Sequence, residues 1–241
     1  MEKFRKIILM MGVAILIGLV GLVSYGAWRG SQPIDDPTQN TDDNSLPKLE
    51  GEADYGKYDA NAIIPADEWS GNLPENIEGS PDAEVLIFEY ADFQCNHCAE
   101  WSTTVSRLVE KYDGRVAVVF RSFMIGFTNS EAAARAANAA AIQGYWVEFK
   151  NLLFANQNVW AYLSGSKLRA EFEKYFELAS NGKGDVEKFY DDMKGEATRR
   201  KAEFDTGIAK ELKLRGTPTF IIGGEKVSPT ELQNVIEKKL K

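Results

Sequence analysis

Residues 87–101 read IFEYADFQCNHCAEW, and within them a strand pattern gives way to a helix pattern. On the upstream side, EVLIFEY (84–90) is short, apolar and partly β-branched, which predicts a buried strand. Downstream, Cys98, Trp101, Val105, Leu108 and Tyr112 recur at steps of three and four residues. That period predicts an amphipathic helix from Cys95 to Tyr112, stopped by Asp113-Gly114. RVAVVFRSFMI (115–125) then reads as a second strand. Strand, helix and strand in so few residues predict a βαβ unit with parallel pairing.

The next long stretch is helical. Thr128-x-x-Glu131 has the form of a capping box ahead of AAARAANAAAIQ, whose small side chains let helices pack closely. Helical periods continue through VEFKNLLFANQ, LRAEFEKYFELAS, VEKFYDDMKGEATRRKAEF and TGIAKELKL. β character returns at TPTFIIGGEKV, where Gly223-Gly224 predicts a tight hairpin turn. Ser228-Pro229-Thr230-Glu231 has the form of a second capping box, with proline at the first helical position, opening a final helix to Leu240. The expected fold class is α/β: a βαβ half, a helical insertion at about 128–204, and a ββα half.

The chain has two cysteines and one histidine, and Cys95-Asn96-His97-Cys98 holds all of them. A structural zinc site takes about four ligands, usually cysteine or histidine, and this set does not supply them. Iron–sulfur clusters fail on cysteine number. Covalent haem attachment needs a histidine directly after the second cysteine, where Ala99 stands. A passive structural disulfide stays open, although so small a loop adds little by chain entropy. A redox dithiol fits the positions better. Cys95 falls at the expected helix start, where unpaired N–H groups and the positive end of the dipole favour a thiolate. His97, when protonated, adds a nearby positive charge that tunes the pair. Cys98 lies one turn in, on the apolar face, so Cys95 is the attacking thiol and Cys98 the resolving one. Glu89 is a carboxylate in an otherwise apolar strand, which is costly without a partner or a role.

Hydrophobic residues make up 44% of the 241, enough for a sizeable core. The formal net charge of −8 argues against a nucleic-acid partner, because phosphate binding requires a basic face. MEKFRK supplies Lys3, Arg5 and Lys6, and residues 7–28 then carry no charge. At ~1.5 Å per residue such a run crosses a ~30 Å hydrocarbon core. The cations ahead of it favour a single pass with the N-terminus inside and the rest outside. Ser24-Tyr25-Gly26 is a passable cleavage site, so residues 1–29 are expected to be a membrane anchor or a signal sequence. Residues 30–74, rich in proline and acid, are expected to form an extracytoplasmic linker. Its later pieces, such as NAIIPADEW, are free to dock on a folded domain over 75–241.

The cysteine stretch resembles the DsbA-like thiol–disulfide oxidoreductases of the thioredoxin superfamily. It is most similar to the membrane-anchored bacterial branch with a G-x-x-x-A-x-V…D-F-x-C-x-x-C signature. In this chain that signature is Gly79-Ser80-Pro81-Asp82-Ala83-Glu84-Val85 leading to Asp92-Phe93-Gln94-Cys95. A distant second motif also matches, Gly216-Thr217-Pro218-Thr219, and the resemblance covers roughly 75–241. It implies a thioredoxin fold with a helical insertion, and a cis Pro218 beside the cysteines. The backbone of Thr217 is then presented to an extended substrate strand, with Asn96 and Pro218 also meeting substrate. Asn96 stands where the family often has proline. Glu89 occupies the position of the buried acid that relatives use for proton transfer to Cys98, so the implied catalytic set is Cys95, Cys98, His97 and Glu89. The implied activity is that of a dithiol oxidase on the outer side of a bacterial cell membrane, introducing disulfides into exported cysteine-containing proteins. Its redox group is the Cys95–Cys98 disulfide, with no cofactor and no metal. A membrane quinone-linked partner of the DsbB or VKOR kind would re-oxidise it. A reductase or isomerase, and a non-catalytic binding module with a structural disulfide, stay open beside it.

Overall fold

The computed structural model describes residue 49 and residues 51–241. The uncharged run at 7–28 and the first part of the linker lie outside the described residues. Among the described residues, no helix is long and apolar enough to cross a membrane.

A mixed sheet holds β1 (Asn76–Glu78), β2 (Val85–Ala91), β3 (Val116–Ser122), β4 (Thr219–Ile222) and β5 (Glu225–Val227) in the order β1-β3-β2-β4-β5. β2 and β3 run parallel, joined by α1 (Asn96–Lys111), and the other neighbours pair antiparallel. Both central strands are covered on both faces, which is why their sequences are almost continuously apolar. β4 turns into β5 at Gly223-Gly224, whose φ values of 59° and 83° are the left-handed pair that a two-residue hairpin turn requires.

Between β3 and β4 lie α2 (Ser130–Ile142), α3 (Trp146–Ala155), α4 (Gln157–Trp160), α5 (Gly165–Ala179), α6 (Val186–Lys194) and α7 (Glu196–Glu211); α8 (Leu232–Lys239) closes the chain. All the alanines of α2 but Ala141 are buried, so α6 and α7 pack closely against its backbone. One core cluster joins this helical layer to Ala91, Phe93, Cys95, Cys98 and Phe120. A second fills the sheet face beneath α1 and α8, and a third fills the opposite face, with Ala60, Ile64 and α7. Both cysteines therefore lie where the end of the sheet meets the helical layer.

Several local expectations change. Packed structure begins before β2 and before residue 75. β1 escapes a periodicity reading because its polar residues face inward, where Asn76 Nδ2 donates to Asn138 Oδ1 (2.9 Å) and Lys150 Nζ donates to Glu78 Oε2 (2.5 Å). The capping box at Thr128 does not form. Asn129 is the N-cap of α2 without a side-chain cap bond; its amide serves the Leu163 carbonyl (3.0 Å), and Ser130 Oγ donates to Asp92 (2.6 Å). At Ser228 a 3₁₀ turn, Pro229–Glu231, precedes α8, and Ser228 Oγ meets Thr230 Oγ1 (2.9 Å) in place of a helix N–H. The helical layer extends past 204 to Glu211. Its last break falls at Gly195, because Asp205 and Thr206 bond to Ser122 from within an unbroken α7.

On the face away from α1, Arg121 fastens residues 60–75 to the sheet. Its guanidinium donates to the carbonyls of Ala60 (2.7 Å) and Ala62 (2.8 Å), to Tyr90 Oη (2.8 Å) and to Glu75 Oε1 (2.7 Å). Lys201 bridges Glu75 (3.3 Å) and Asp205, so two cations meet two carboxylates in the interior. Burial alone would push the Glu75 carboxyl up, and Lys201 with Arg121 holds it down. Removing one member of a buried pair costs roughly 3–5 kcal/mol, because the other charge is left uncompensated. Arg121→Met is expected to lower unfolding stability by about that much and to open the 58–64 segment to protease. A loss below ~1 kcal/mol with no new cleavage would mean that apolar contacts alone hold the segment.

Candidate active site

The site is built on the turn that ends β2. The Asp92 carboxylate is buried and accepts from the backbone N–H groups of Gln94 (2.9 Å) and Ile125 (2.9 Å) and from Ser130 Oγ (2.6 Å). Burial pushes the Asp92 carboxyl up, opposed by those three donors. Its own carbonyl accepts the Cys95 N–H at 3.0 Å, which closes the turn. Cys95 thereby becomes the N-cap of α1, extended at φ −79° and ψ 121°, with the first helical N–H groups beyond it. The helical layer grips the turn from the side. Gln157 Nε2 donates to the carbonyls of Phe93 (2.7 Å) and Cys95 (3.0 Å), and Gln94 Nε2 donates to that of Ala161 (2.9 Å).

Both cysteines are free thiols in this structure. The Thr217–Pro218 bond is cis, and the Cys95 thiol donates to the Thr217 carbonyl at 3.5 Å. Cys95 is slightly accessible (6%) and Cys98 is sealed (0%). The Cys95 thiol is pulled down to about 5, first by a hydrogen bond from Cys98, with burial opposing. The Thr217 side chain and the N–H groups of Cys98 and His97 pull in the same direction. Among the described residues Thr217 Oγ1 is buried without a hydrogen-bond partner, which leaves its proton available to the thiolate. Cys98 is pushed far up, first by sharing its proton with Cys95 and then by burial. The first proton to leave the pair is therefore that of Cys95.

His97 and Asn96 are exposed at the start of α1. The imidazole Nδ1 lies 3.0 Å from Glu100 Oε2, and that bond raises the histidine's proton affinity more than the Cys95 charge does. His97 reaches the Cys95 sulfur through its backbone N–H. Thr217 and Pro218 are half-buried, beside Cys95.

Glu89 lies one layer deeper. It alternates with Ile87 and Ala91 on the face of β2 beneath α1 and pairs across the strands with Phe120. Burial pushes its carboxyl up to about 7, with Lys150 lowering it and Glu78 raising it. Oε1 of Glu89 has no hydrogen-bond partner among the described residues. Lys150, from α3, also donates to Ser106 Oγ of α1 at 3.1 Å. Nothing in the sequence singles out Lys150, Glu78 or Gln157, because they meet the site only through the folding of the helical layer. Asp92-x-Gln94 did carry a signal, the side-chain-to-backbone turn that aspartate favours two residues ahead of an N–H.

The sequence profile of the family described as Thioredoxin matches residues 72–238. The chain is 28% identical over 173 residues to the "Probable disulfide bond formation protein D" of Bacillus cereus, covering 68% of this chain and 77% of that protein. It is 27% identical over 156 residues to "Na(+)/H(+) antiporter NhaA 1" of Mycobacterium sp. (strain KMS), covering 63% of this chain. There it spans only 24% of the relative's length. Among solved structures, oxidised BdbD from Bacillus subtilis superposes with a TM-score of 0.60 at 19% identity, over 75% of this chain and 99% of that one. Alpha-DsbA1 of Wolbachia pipientis does so with a TM-score of 0.54 at 23% identity, over 69% and 92%. The chain belongs to the thioredoxin family.

Proposed function

We propose that the chain is an extracytoplasmic thiol–disulfide oxidoreductase that runs as an oxidase of exported proteins. The observation that carries this reading is the placement of the thiols, a slightly accessible Cys95 at the N-cap of α1 and a sealed Cys98 one turn in, which draws the Cys95 thiol down and pushes Cys98 up. A thiolate so easily formed is a good leaving group, and its stability favours the reduced enzyme, which is what makes a disulfide oxidising. In the forward reaction a substrate thiolate attacks Cys95 Sγ of the disulfide, and the Cys95–Cys98 bond breaks. Cys98 leaves as a thiolate and takes up a proton, for which our candidate donor is Glu89, whose buried carboxyl is raised to about 7. A second substrate thiolate then attacks the substrate sulfur of the mixed disulfide, and Cys95 departs as a thiolate. Two electrons pass from the substrate dithiol to the enzyme. The Thr217 edge would hold the substrate in extended form, with Pro218 and Asn96 flanking it. Return to the disulfide would fall to a membrane quinone-linked partner of the DsbB or VKOR kind, within reach if residues 1–29 anchor the chain.

The assignment of roles is tested by trapping. Cys98→Ser is expected to accumulate mixed disulfides with exported proteins, since the resolving thiol is gone, whereas Cys95→Ser accumulates few. Equal trapping by the two variants would contradict the assignment of Cys95 as nucleophile and Cys98 as resolver. In the native dithiol, alkylation should report one group titrating near pH 5, the value to which Cys95 is drawn. A single titration near the ~8.5 of an ordinary thiol would remove the basis of the oxidase reading.

The proton-carrying role of Glu89 has two readouts of opposite kind. Glu89→Gln should slow exchange by roughly 10²-fold, the low end of what a positioned acid or base contributes. The same variant should raise stability at alkaline pH. A carboxyl whose folded pKa is raised to about 7 weakens the fold as pH climbs from its unfolded value through 7. Lys150→Met removes the cation that lowers Glu89, so the pH dependence of exchange should move to higher pH. Unchanged kinetics in Glu89→Gln, with an unchanged profile in Lys150→Met, would reduce Glu89 to a buried structural residue.

A further inference from the structure

We propose that Gln157 is a positioning residue for the Cys95 thiolate, acting through the carbonyls on either side of Gln94. The proposal rests on the reading of Cys95 as the attacking thiol and adds a control from a distant part of the chain. Gln157 is the first residue of α4 and is buried. Its amide nitrogen donates to the Phe93 carbonyl at 2.7 Å and to the Cys95 carbonyl at 3.0 Å. The Cys95 carbonyl also receives the Ala99 N–H at 3.2 Å, the first bond of α1.

Each carbonyl oxygen is the negative end of a peptide dipole. A donor placed on it reduces the negative potential felt by a neighbouring thiolate. The same two bonds fix the peptide planes beside Cys95, and so the direction from which the His97 and Cys98 N–H groups meet its sulfur.

A purely structural role for Gln157 fits the geometry less well, because the segment it starts is tied down by other groups. Asn129 Nδ2 donates to the carbonyls of Trp160 (3.3 Å), Ala161 (3.2 Å) and Leu163 (3.0 Å), and Gln94 Nε2 donates to Ala161 (2.9 Å). The bonds that Gln157 donates go to the loop that carries the nucleophile.

The test compares the alkylation midpoint of Cys95 in the unaltered protein, in Gln157→Met and in Asn129→Ala. Methionine keeps the length and removes both donors. Asn129→Ala loosens the same segment without touching a Cys95 carbonyl. Gln157→Met is expected to raise the midpoint and to make the exchange equilibrium with glutathione less oxidising by up to about tenfold, which is about 30 mV. Asn129→Ala is expected to melt earlier with the midpoint unmoved. A second measurement needs no variant: the side-chain amide resonances of ¹⁵N-labelled Gln157 should shift with pH at the same midpoint as Cys95. Equal midpoints in Gln157→Met and the unaltered protein would overturn the proposal, as would an equal shift in Asn129→Ala or flat Gln157 resonances. A midpoint near the ordinary thiol value in the unaltered protein would instead overturn the underlying reading of Cys95.

Discussion

Two sulfur atoms one helical turn apart share a single easily lost proton, and the fold makes them unequal. Cys98 is sealed beneath α1 and keeps its hydrogen, which it directs at Cys95. Cys95 sits where β2 ends and α1 begins, among N–H groups that have no partner within the helix. Most of the surrounding structure maintains that inequality. Asp92 holds the turn with three donors on its carboxylate, the Thr217 carbonyl meets the Cys95 sulfur, and the helical layer grips the loop from the side.

The same arrangement explains the position of the costliest groups. A buried carboxylate such as Glu89 has a strong preference for its neutral form. Lys150 and Glu78 act on it in opposite directions, so its proton affinity falls near neutrality. A group in that range both accepts and releases protons without a large free-energy cost in either direction. The cluster of Arg121, Glu75, Lys201 and Asp205 on the other sheet face has a different character. Its charges are matched in number and closely bonded, and it secures residues 60–75 against the sheet.

The βαβ unit, the ββα close and the position of Cys95 and Cys98 at a helix start were legible in the sequence, because each rests on a local signal. Apolar runs mark β2 and β3, a three-to-four period marks α1, and adjacent glycines mark the hairpin. β1 was not legible, since Asn76 and Glu78 face inward and reverse the usual polarity of a strand. The two expected capping boxes did not form: the N-cap of α2 falls at Asn129, one residue after Thr128, with Glu131 bonded to Arg135 (3.2 Å), and Ser228 Oγ turns to Thr230 (2.9 Å). The residues that shape the site from a distance, Gln157 and Lys150, have no signature at all until the helical layer is folded.

The central claim is that the fold stabilises the Cys95 thiolate and therefore the reduced protein. It is tested most directly by melting the oxidised and reduced forms side by side across pH. Cys95 is an acid whose folded pKa, about 5, is depressed below its unfolded value. Its contribution is therefore fully present above ~8.5 and is lost as pH falls through 5. The account predicts that the reduced form melts above the oxidised form at pH 7, that the gap widens from pH 5 towards about 8.5, and that it closes at or below pH 5. An oxidised form that is the more stable at pH 7, or a gap independent of pH, would contradict it.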